Sequence, residues 1–410
     1  MKEIDKILLV LLIMFIGVDR INILPDNFLS FKFTPYLLLS LITIFYTLSF
    51  RLDKINLDWL FENKYLLLSL CSFLLFLSLS VLTSIDLYFS FKRFILLLII
   101  LVSTILIFST YEKDTISEGI YIGSIFGSIT FYLFNFLLYQ YWLGNITYIS
   151  SFINLEPDTL AYFIPRLGGF SEDVNRGGFI LVFFTFIILT SNKKNYFNHL
   201  LLFINIFTIL LTLSRSSILF LFISIMIYLI FYVSSKSRLT YIVCVLSSIF
   251  LFLSTVIYYS NLNVTHIDEV IEERFSLENK NHDSSASIHL KLINDAMVEI
   301  KSSLKTFLLG SGHGTSYKLI KGYRMSMNKN ANYHSQYLSI FVENGFFAFS
   351  SFLFLTFLYP FYNMKNYYFP LILGVMIFNV FYQLINEPTF WLLLFLYYYT
   401  FYKKKYELSK

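Results

Sequence analysis

The sequence predicts an all-α polytopic membrane protein with about twelve transmembrane helices and one long extracytoplasmic loop that contains short helices. Hydrophobic residues make up 57% of the chain and charged residues only 14%, whereas a typical soluble domain carries roughly 25% charged residues. Apolar runs of about 20 residues, the length that crosses a bilayer, recur along most of the sequence. A soluble globular domain is therefore excluded.

Twelve apolar runs qualify as spans, and most have no charge in the middle, as a hydrocarbon environment requires. They cover residues 7–24, 34–50, 65–84, 94–110, 120–142, 177–190, 197–213, 216–233, 239–259, 336–359, 368–385 and 389–402. Lys2 and Lys6 precede the first run as in a signal peptide. No small-residue cleavage site follows, so we expect a retained first span.

The distribution of Lys and Arg predicts the orientation of the spans. Twelve spans place both termini on one side of the membrane. If that side is the cytoplasm, the inside segments hold fifteen Lys and Arg and the short outside segments hold seven. The long loop is left out of this count because long loops cross the membrane largely regardless of charge. Both termini are therefore predicted to be cytoplasmic.

The predicted spans divide the chain into three parts. These are residues 1–259 with spans one to nine and an outer loop at 143–176, the extracytoplasmic loop subdomain 260–335, and residues 336–410 with spans ten to twelve and a cytoplasmic tail. Five of the six histidines lie in the subdomain 260–335. Since loops on a rigid scaffold often carry the chemistry, the extracytoplasmic face is the expected working face.

Within the long loop, residues 287–308 predict one amphipathic helix. Apolar residues recur at helical spacing from Ile288 to Leu308. Gly310 follows and is expected to end the helix. A helix of this kind suits the membrane surface or the outside of the bundle.

Two segments combine arginine with small residues next to a span. Arg166 to Gly178 contains Asn175, Arg176 and four glycines; glycines let backbone approach a ligand closely, and arginines can pair with phosphate oxygens. An ordinary interfacial loop is the alternative. Arg215 stands in a very tight hairpin between two apolar runs, where it is costly unless it meets an anion, a carboxylate or water. The alternative is that Arg215 is an ordinary turn residue at the level of the lipid headgroups. We favour a functional role for Arg215.

Two further segments carry histidine. His313 lies in the glycine-rich stretch from Gly310 to Ser316, which lacks the Lys and the strand–loop–helix context of a nucleotide P-loop, so a helix stop and turn is favoured.

His334 stands where the long loop re-enters the membrane, and Glu343 follows within the apolar span. A carboxylate there needs a partner or a polar cavity. A capping cluster with an ion pair is the alternative; we favour function for His334 and structure or Arg pairing for Glu343.

The sequence gives no support for a metal site, for nucleotide hydrolysis or for ion-coupled transport. The chain contains no Asp-x-Asp pair and no Walker motif, and its two cysteines lack the paired spacing of a metal site. The spans lack the Asp, Glu and His relays of ion-coupled pumps. We therefore expect no metal, no cofactor and no nucleic-acid partner.

The four segments, in this order, resemble the O-antigen polymerase and O-antigen ligase superfamily, and the resemblance covers most of residues 160–350. The sequence departs from the family pattern at three places. Ser335 stands where Asn is common, Val174 where Pro is common, and Ser287 to His289 where an arginine often starts the loop helix. These departures leave the sub-family open.

The resemblance implies transfer of a glycan from a polyprenyl diphosphate carrier, without a metal, on the outer face of a bacterial inner membrane. His334 would be the catalytic base, and the diphosphate would contact Arg215 with Arg166 or Arg176. Supporting roles would fall to Glu343, as orienter or Arg partner, and to Asn175 and His313. The implied partners are the carrier-linked glycan, the lipid bilayer, and a flippase and chain-length regulator of the same pathway.

Three functions remain open, in this order of preference. The first is a polymerase that joins lipid-linked repeat units into O-antigen or capsular chains. The second is a ligase that moves the finished chain to lipid A-core or to a protein. The third is a flippase for lipid-linked oligosaccharides, which has a similar number of spans but needs no long outer loop bearing histidines. The loop 260–335 holds nine cations and eight anions, so it attracts a polyanionic acceptor weakly, which favours the polymerase.

Overall fold

The computed structural model describes residues 2–24, 32–147, 150, 152–160, 164–191, 195–233, 235–261, 285–320, 331–362 and 364–407. The chain forms two compact units. The first comprises residues 1–52 and 110–277, and the second comprises residues 53–109 and 278–410. The three-part division predicted from the sequence follows the membrane boundaries instead, and it stays a prediction.

Helices dominate both units. In chain order they are α1 (Lys2–Met14), α2 (Pro35–Phe50), α3 (Asp58–Phe61), α4 (Lys64–Leu82), α5 (Leu87–Thr110), α6 (Lys113–Trp142), α7 (Val174–Thr190), α8 (Tyr196–Leu211), α9 (Arg215–Phe231), α10 (Ser235–Asn261), α11 (Ser285–Ile300), α12 (Leu304–Leu309), α13 (Ser316–Leu319), α14 (Gln336–Leu353), α15 (Phe369–Phe381) and α16 (Pro388–Glu407). A π-helical turn, Phe354–Leu358, and a short helix, Tyr359–Phe361, extend α14.

Each of the twelve predicted spans overlaps one of these helices, the first of them over 7–14 only. Within the described residues, four helices are long and apolar enough to cross a membrane: Lys64–Leu82, Leu87–Thr110, Lys113–Trp142 and Gln336–Phe361. Six shorter apolar helices of 10–17 residues accompany them: Pro35–Phe50, Val174–Thr190, Tyr196–Leu211, Arg215–Phe231, Arg238–Ser254 and Phe369–Phe381. The helical membrane fold is thus confirmed, while the number of spans stays a prediction.

Two predicted helices have different bounds in the structure. The first span was expected at 7–24, but α1 ends at Met14, and the chain then turns so that the backbone N–H groups of Asp19 and Arg20 both donate to the carbonyl of Phe170. The loop helix expected at 287–308 is divided into α11 and α12. Ser303 caps α12 by accepting a hydrogen bond from Thr306 N, which favours a new helix start over continuation.

The first unit also contains a small hairpin that the all-α prediction missed. Strands β1 (Asp158–Leu160) and β2 (Ile164–Arg166) pair antiparallel, with Asp158 opposite Arg166. Three residues per strand give too short an alternation to be recognised from sequence. The register matters because it places a carboxylate across from an arginine of the predicted site.

The core of the first unit is α7, whose residues are almost all buried and which packs against α6, α8 and α9. Helix α1 lies along α6, where Gly119 and Gly123 face Leu9 and Ile13. A Cβ at Gly123 would lie 2.5 Å from the Cβ of Ile13. Small residues let helices approach this closely, as in other membrane bundles.

The core of the second unit is α14, which packs mainly on α4 and on α12. Gly345 breaks the helix with φ +77°, a conformation that glycine adopts without strain. A Cβ at Gly345 would lie 2.3 Å from the carbonyl oxygen of Leu308. The break therefore lets the end of α12 press against α14.

Candidate active site

Arg166 of the first unit is buried and already paired. Its Nη1 donates to Asp158 Oδ2 at 2.7 Å, across the β1–β2 register. Its Nε donates to the carbonyl of Thr212 at 3.4 Å. This arginine therefore ties the hairpin to the turn between α8 and α9, and part of its charge is balanced by Asp158.

Asn175 joins the two arginine-bearing segments. Its side-chain oxygen accepts a hydrogen bond from Ser214 Oγ at 2.8 Å, and its carbonyl accepts one from Ser217 Oγ at 3.1 Å. The contact is close because Gly178 leaves room: a Cβ there would lie 2.4 Å from Ser217 Oγ. The structure thus brings together two segments that are separate in sequence.

The junction places two helix N-termini side by side. Asp173 caps α7 by accepting from the N–H groups of Asn175 and Arg176, and Ser214 caps α9 by accepting from Ser217 N. Helix N-termini carry partial positive charge and bind anions. The first turn of α7 contains Arg176, and α9 begins with Arg215.

The two arginines of these helix ends differ in exposure. Arg176 is half-buried and forms an ion pair with Asp19. Arg215 is exposed, and Leu213, two residues before it, has φ +51°, a value uncommon outside glycine. Arg215 is therefore the arginine of this group that an external anion reaches most directly.

The sequence interpretation missed the pair Asp19 and Arg20. Arg20 is 1% exposed, and its guanidinium donates to the carbonyls of Gly169, Ser171, Asn154 and Glu156 at 2.8–3.2 Å. Asp19 accepts from Glu172 N at 2.7 Å and holds Arg176. The feature of the sequence that could have identified this pair is the occurrence of two adjacent charged residues at the end of an apolar run. Together they fix the loop that leads into α7.

In the second unit, the glycine-rich turn Gly310–Ser316 encloses Glu343. The carboxylate of Glu343, which is 2% exposed, accepts from Gly314 N at 2.9 Å, from Ser316 N at 3.3 Å and from Ser316 Oγ. Its carbonyl accepts from Gly312 N at 2.8 Å and from Ser80 Oγ at 2.6 Å. Successive N–H groups of such a turn form an anion nest, and here a carboxylate of the same chain fills it.

His313 is fully buried in this turn. Its Nδ1 lies 3.9 Å from Glu343 Oε2. Burial and, secondarily, the charge of Arg93 lower the pKa of His313 to about 4, against smaller raising effects of Asn386 and Asn344. His313 is thus neutral at pH 7 and shielded from solvent. Gly310 ends α12 with φ +76°, so the expected helix stop and turn is confirmed.

His334 is half-buried and lies just before α14. Its backbone has φ +49°, and its N–H donates to Asn332 Oδ1 at 2.8 Å. A non-glycine residue in this conformation stores strain that is often found at functional sites. The turn presents the imidazole at the entry to α14, as expected for a residue at the re-entry point.

The predicted site residues divide between the two units. Arg166, Asn175, Arg176 and Arg215 belong to the first unit, and His313, His334 and Glu343 belong to the second. Arg93, which sequence reasoning passed over, lies in the second unit close enough to His313 to affect its pKa. His266, His282, Lys321, Arg324 and the side chain of His289 lie outside the described residues.

Comparison with known proteins identifies a family for part of the chain. The model of the O-antigen ligase family matches residues 200–353, a range that contains Arg215, His313, His334 and Glu343. The resemblance to the O-antigen ligase and polymerase superfamily is therefore confirmed. Members are glycosyltransferase-like membrane enzymes that act on lipid-linked glycans. No curated protein matches the chain.

Proposed function

We propose that this membrane protein, whose residues 200–353 match the O-antigen ligase family, polymerises polyprenyl-diphosphate-linked oligosaccharide repeat units into O-antigen or capsular polysaccharide. The observation that carries the proposal is the junction of α7 and α9. Two helix N-termini and the arginines Arg166, Arg176 and Arg215 meet there, joined through Asn175. This arrangement suits a diphosphate without a metal.

The proposed reaction is a displacement at the anomeric carbon of the donor sugar. The acceptor hydroxyl attacks this carbon, the bond from the carbon to the diphosphate oxygen breaks, and the polyprenyl diphosphate leaves with the electron pair. Arg215 and the helix N-termini stabilise the leaving diphosphate, an effect worth roughly 10²–10³-fold per well-placed donor.

His334 takes the proton of the acceptor hydroxyl as general base, a contribution of roughly 10²–10⁴-fold. His334 has a backbone φ of +49° in the turn just before α14. Glu343 and His313 hold the glycine-rich turn in shape from inside the second unit. In this proposal they support the site and do not touch the substrate.

The near balance of charge in the loop 260–335 favours a polymerase over a ligase. Nine cations and eight anions give little long-range attraction for a polyanionic lipid-core acceptor. A ligase that transfers the finished glycan to lipid A-core or to a protein is the second candidate, since the matched family is described as O-antigen ligase.

We also propose that the chain crosses the bacterial inner membrane twelve times with both termini in the cytoplasm. Contacts within each unit support this alternation. In the first unit the end of α1 meets the start of α7, and in the second the α4–α5 turn meets the glycine-rich turn: Asp19 N donates to Phe170 O and Ile85 N to Ser311 O. All four segments are predicted to be extracytoplasmic. An alkaline phosphatase fusion at Lys410 should be inactive and one at Ile300 active; the opposite pattern would reject the orientation.

The reaction is tested with purified protein and lipid-linked repeat units, with no lipid-core or protein acceptor present. A ladder of longer lipid-linked chains is the expected product. Product that forms only after a core or protein acceptor is added would support the ligase instead. No glycan transfer under either condition, with lipid-linked units moved across a vesicle membrane, would support a flippase.

Two matched pairs of variants test the assigned roles. Arg215→Ala should lose nearly all turnover, and Arg215→Lys should remain impaired because the planar fork is lost. Arg238→Ala is the control, since Arg238 lies beyond the other end of α9 and donates to the carbonyls of Ile230 and Val233. His334→Ala should abolish product, whereas His199→Ala, in α8 of the first unit, should not. Normal turnover in Arg215→Ala or His334→Ala would remove that residue from the mechanism.

A further inference from the structure

We propose that the second unit holds a small cluster of buried water molecules, bound by the side chains of His313, Gln336, Asn344 and Asn386. We name these four residues the amide cluster, because three of them carry an amide. All four belong to the second unit. The inference concerns the interior of this unit and is independent of the proposed function.

The amide cluster is buried although all of its members are polar. His313, Gln336 and Asn344 are each 0% exposed. Asn386 is half-buried as a residue, and its Oδ1 atom is buried. Burying a polar group costs free energy unless the group forms a hydrogen bond. Each of these side chains therefore needs a hydrogen-bond partner.

Gln336 has only one of its two amide atoms paired. Its Oε1 accepts from the N–H groups of Leu384 and Ile385 at 2.5 and 2.6 Å, which anchors the start of α14 to the turn that leads into α16. Its Nε2, on the other arm of the amide, has no hydrogen-bond partner among the described residues. Asn386 follows Ile385 directly, so the same contacts bring Gln336 close to Asn386.

Asn344 and Asn386 both lie beside His313. Burial and then Arg93 lower the pKa of His313, and the smaller raising effects come from these two amides. Neither amide forms a hydrogen bond of normal geometry with the ring, because both ring nitrogens are without a partner in the part of the chain that the structure describes. Polar groups that approach each other without a direct hydrogen bond are the usual setting for a bridging water.

Six buried polar atoms of the amide cluster have no partner within the described ranges: Gln336 Nε2, Asn386 Oδ1, and two atoms each of His313 and Asn344. They include donors and acceptors, since an amide NH₂ donates, an amide oxygen accepts, and a neutral imidazole does both. A buried water typically makes about three hydrogen bonds. About two water molecules would therefore pair all six atoms.

The mixture of donors and acceptors selects a neutral ligand. Only two of the six atoms are oxygens, on Asn344 and Asn386, whereas a hard cation takes about six oxygen ligands. The same two oxygens, together with Glu343 Oε2 at 3.9 Å from His313 Nδ1, disfavour an anion. Since three of the four side chains are fully buried, the ligand must also be small. Water meets both conditions.

The test is brief X-ray irradiation of the full chain in lipid nanodiscs, followed by mass spectrometry of its peptides. Radiolysis of a bound water produces a hydroxyl radical in place, which oxidises the side chains that contact this water. His313 should be oxidised although it is fully buried. Phe73 is the matched control, since it is also 0% exposed and its ring packs on Phe352 and Trp391. It has no polar atom that binds water and should stay unmodified, although phenylalanine reacts with the radical as readily as histidine.

Two variants of Asn344 show whether the water is bound by the amide cluster. Asn344→Leu keeps the branching of the side chain but places methyl groups where the water binds, so oxidation of His313 should fall several-fold. Asn344→Ser keeps a hydroxyl group and leaves room for water, so oxidation of His313 should persist. The thermal unfolding midpoint shows whether each variant is folded.

Two results would overturn the inference. One is that His313 of the wild type is oxidised no more than Phe73, a comparison that needs no variant to fold. The other is that His313 is oxidised equally in the wild type and in folded Asn344→Leu. Neither result depends on glycan transfer, so failure of the proposed function would leave this inference unaffected.

Discussion

Gly314 donates its backbone N–H to the side-chain oxygen Oε2 of Glu343 over 2.9 Å, so the glycine-rich turn is closed around a side chain of its own chain. Ser316 adds its N–H and its hydroxyl to the same carboxylate. In phosphate-binding loops such donors face a ligand. Here they face Glu343, so these donors are not available to a phosphate ligand.

Removing the carboxylate should unfold the glycine-rich turn. In Glu343→Ala, three donors lose their acceptor, and each buried donor left unsatisfied costs roughly 1–3 kcal/mol. We expect a loss of several kcal/mol and little folded protein, with Glu343→Gln intermediate because it keeps one acceptor oxygen. Thermal unfolding of the purified variants measures this. Glu62→Ala, an exposed site beside α3, is the control; an equally small shift in Glu343→Ala would contradict the closed-turn interpretation.

The break in α14 should tolerate no side chain. A Cβ at Gly345 would collide with the carbonyl of Leu308 at 2.3 Å, and the residue also has φ +77°. Gly144 has nearly the same φ, +75°, but nothing lies within 4 Å of its Cβ position. Gly144→Ala therefore bears only the conformational cost, on the order of 1 kcal/mol, whereas Gly345→Ala should fail to accumulate in the membrane. Comparable yields of the two variants would show that the close approach is not required.

The sequence predicted the positions of the helices well because hydropathy alone determines where a chain can span a bilayer. All twelve predicted spans overlap helices, and the first of them, 7–24, overlaps its helix least. It could not predict the end of α1, because the reason lies in Arg20 contacts with residues more than 130 positions away. Long-range pairing of polar groups leaves no periodic pattern in the sequence.

The candidate site could be predicted only in part, because some of its contacts join residues that are far apart in the sequence. Arg215 and His334 could be singled out because each is a polar residue next to an apolar run, a pattern that the neighbouring sequence shows directly. The contact of Asn175 with Ser214, 39 positions away, and the enclosure of Glu343 by Gly314 depend on tertiary structure. Arg93 was not selected as a candidate because its position at the start of an apolar run is typical of an ordinary cation at the membrane interface.

The buried His313 should make stability depend on pH. Its pKa is lowered from 6.5 to about 4 by burial and then by Arg93, so the unfolded chain binds a proton more readily than the folded one. Its contribution to stability is therefore complete above about pH 6.5 and declines as the pH falls toward 4, by up to about 1.4 kcal/mol per pH unit.

The measurement is the thermal unfolding midpoint between pH 7 and pH 5, a range above the pKa of about 2 at which Asp86 titrates. The midpoint of wild type should fall with decreasing pH. That of His313→Gln, which cannot bind the proton, should start lower and change less. Parallel curves for the two proteins would show that His313 does not titrate in this range.

Arg20 should be the most sensitive arginine of the first unit. Its guanidinium donates to four carbonyls, of Asn154, Glu156, Gly169 and Ser171, and so fixes the loop that connects Arg166 to Arg176 of the proposed diphosphate site. Arg20→Ala leaves these buried acceptors without their donor, at roughly 1–3 kcal/mol for each unsatisfied group. Arg20→Lys keeps the charge but cannot reach four acceptors, because the planar fork is lost.

We therefore expect a large drop in the thermal unfolding midpoint for Arg20→Ala and a smaller drop for Arg20→Lys. Arg238→Ala serves as the matched control, since Arg238 also donates to carbonyls, of Ile230 and Val233, but from a more exposed position. Carrier binding adds a second measurement: in Arg20→Lys the affinity of the α7–α9 junction for the carrier should fall, because the loop that leads into α7 loosens. Equal midpoints for Arg20→Ala and Arg238→Ala would show that the four carbonyl contacts do not hold the loop.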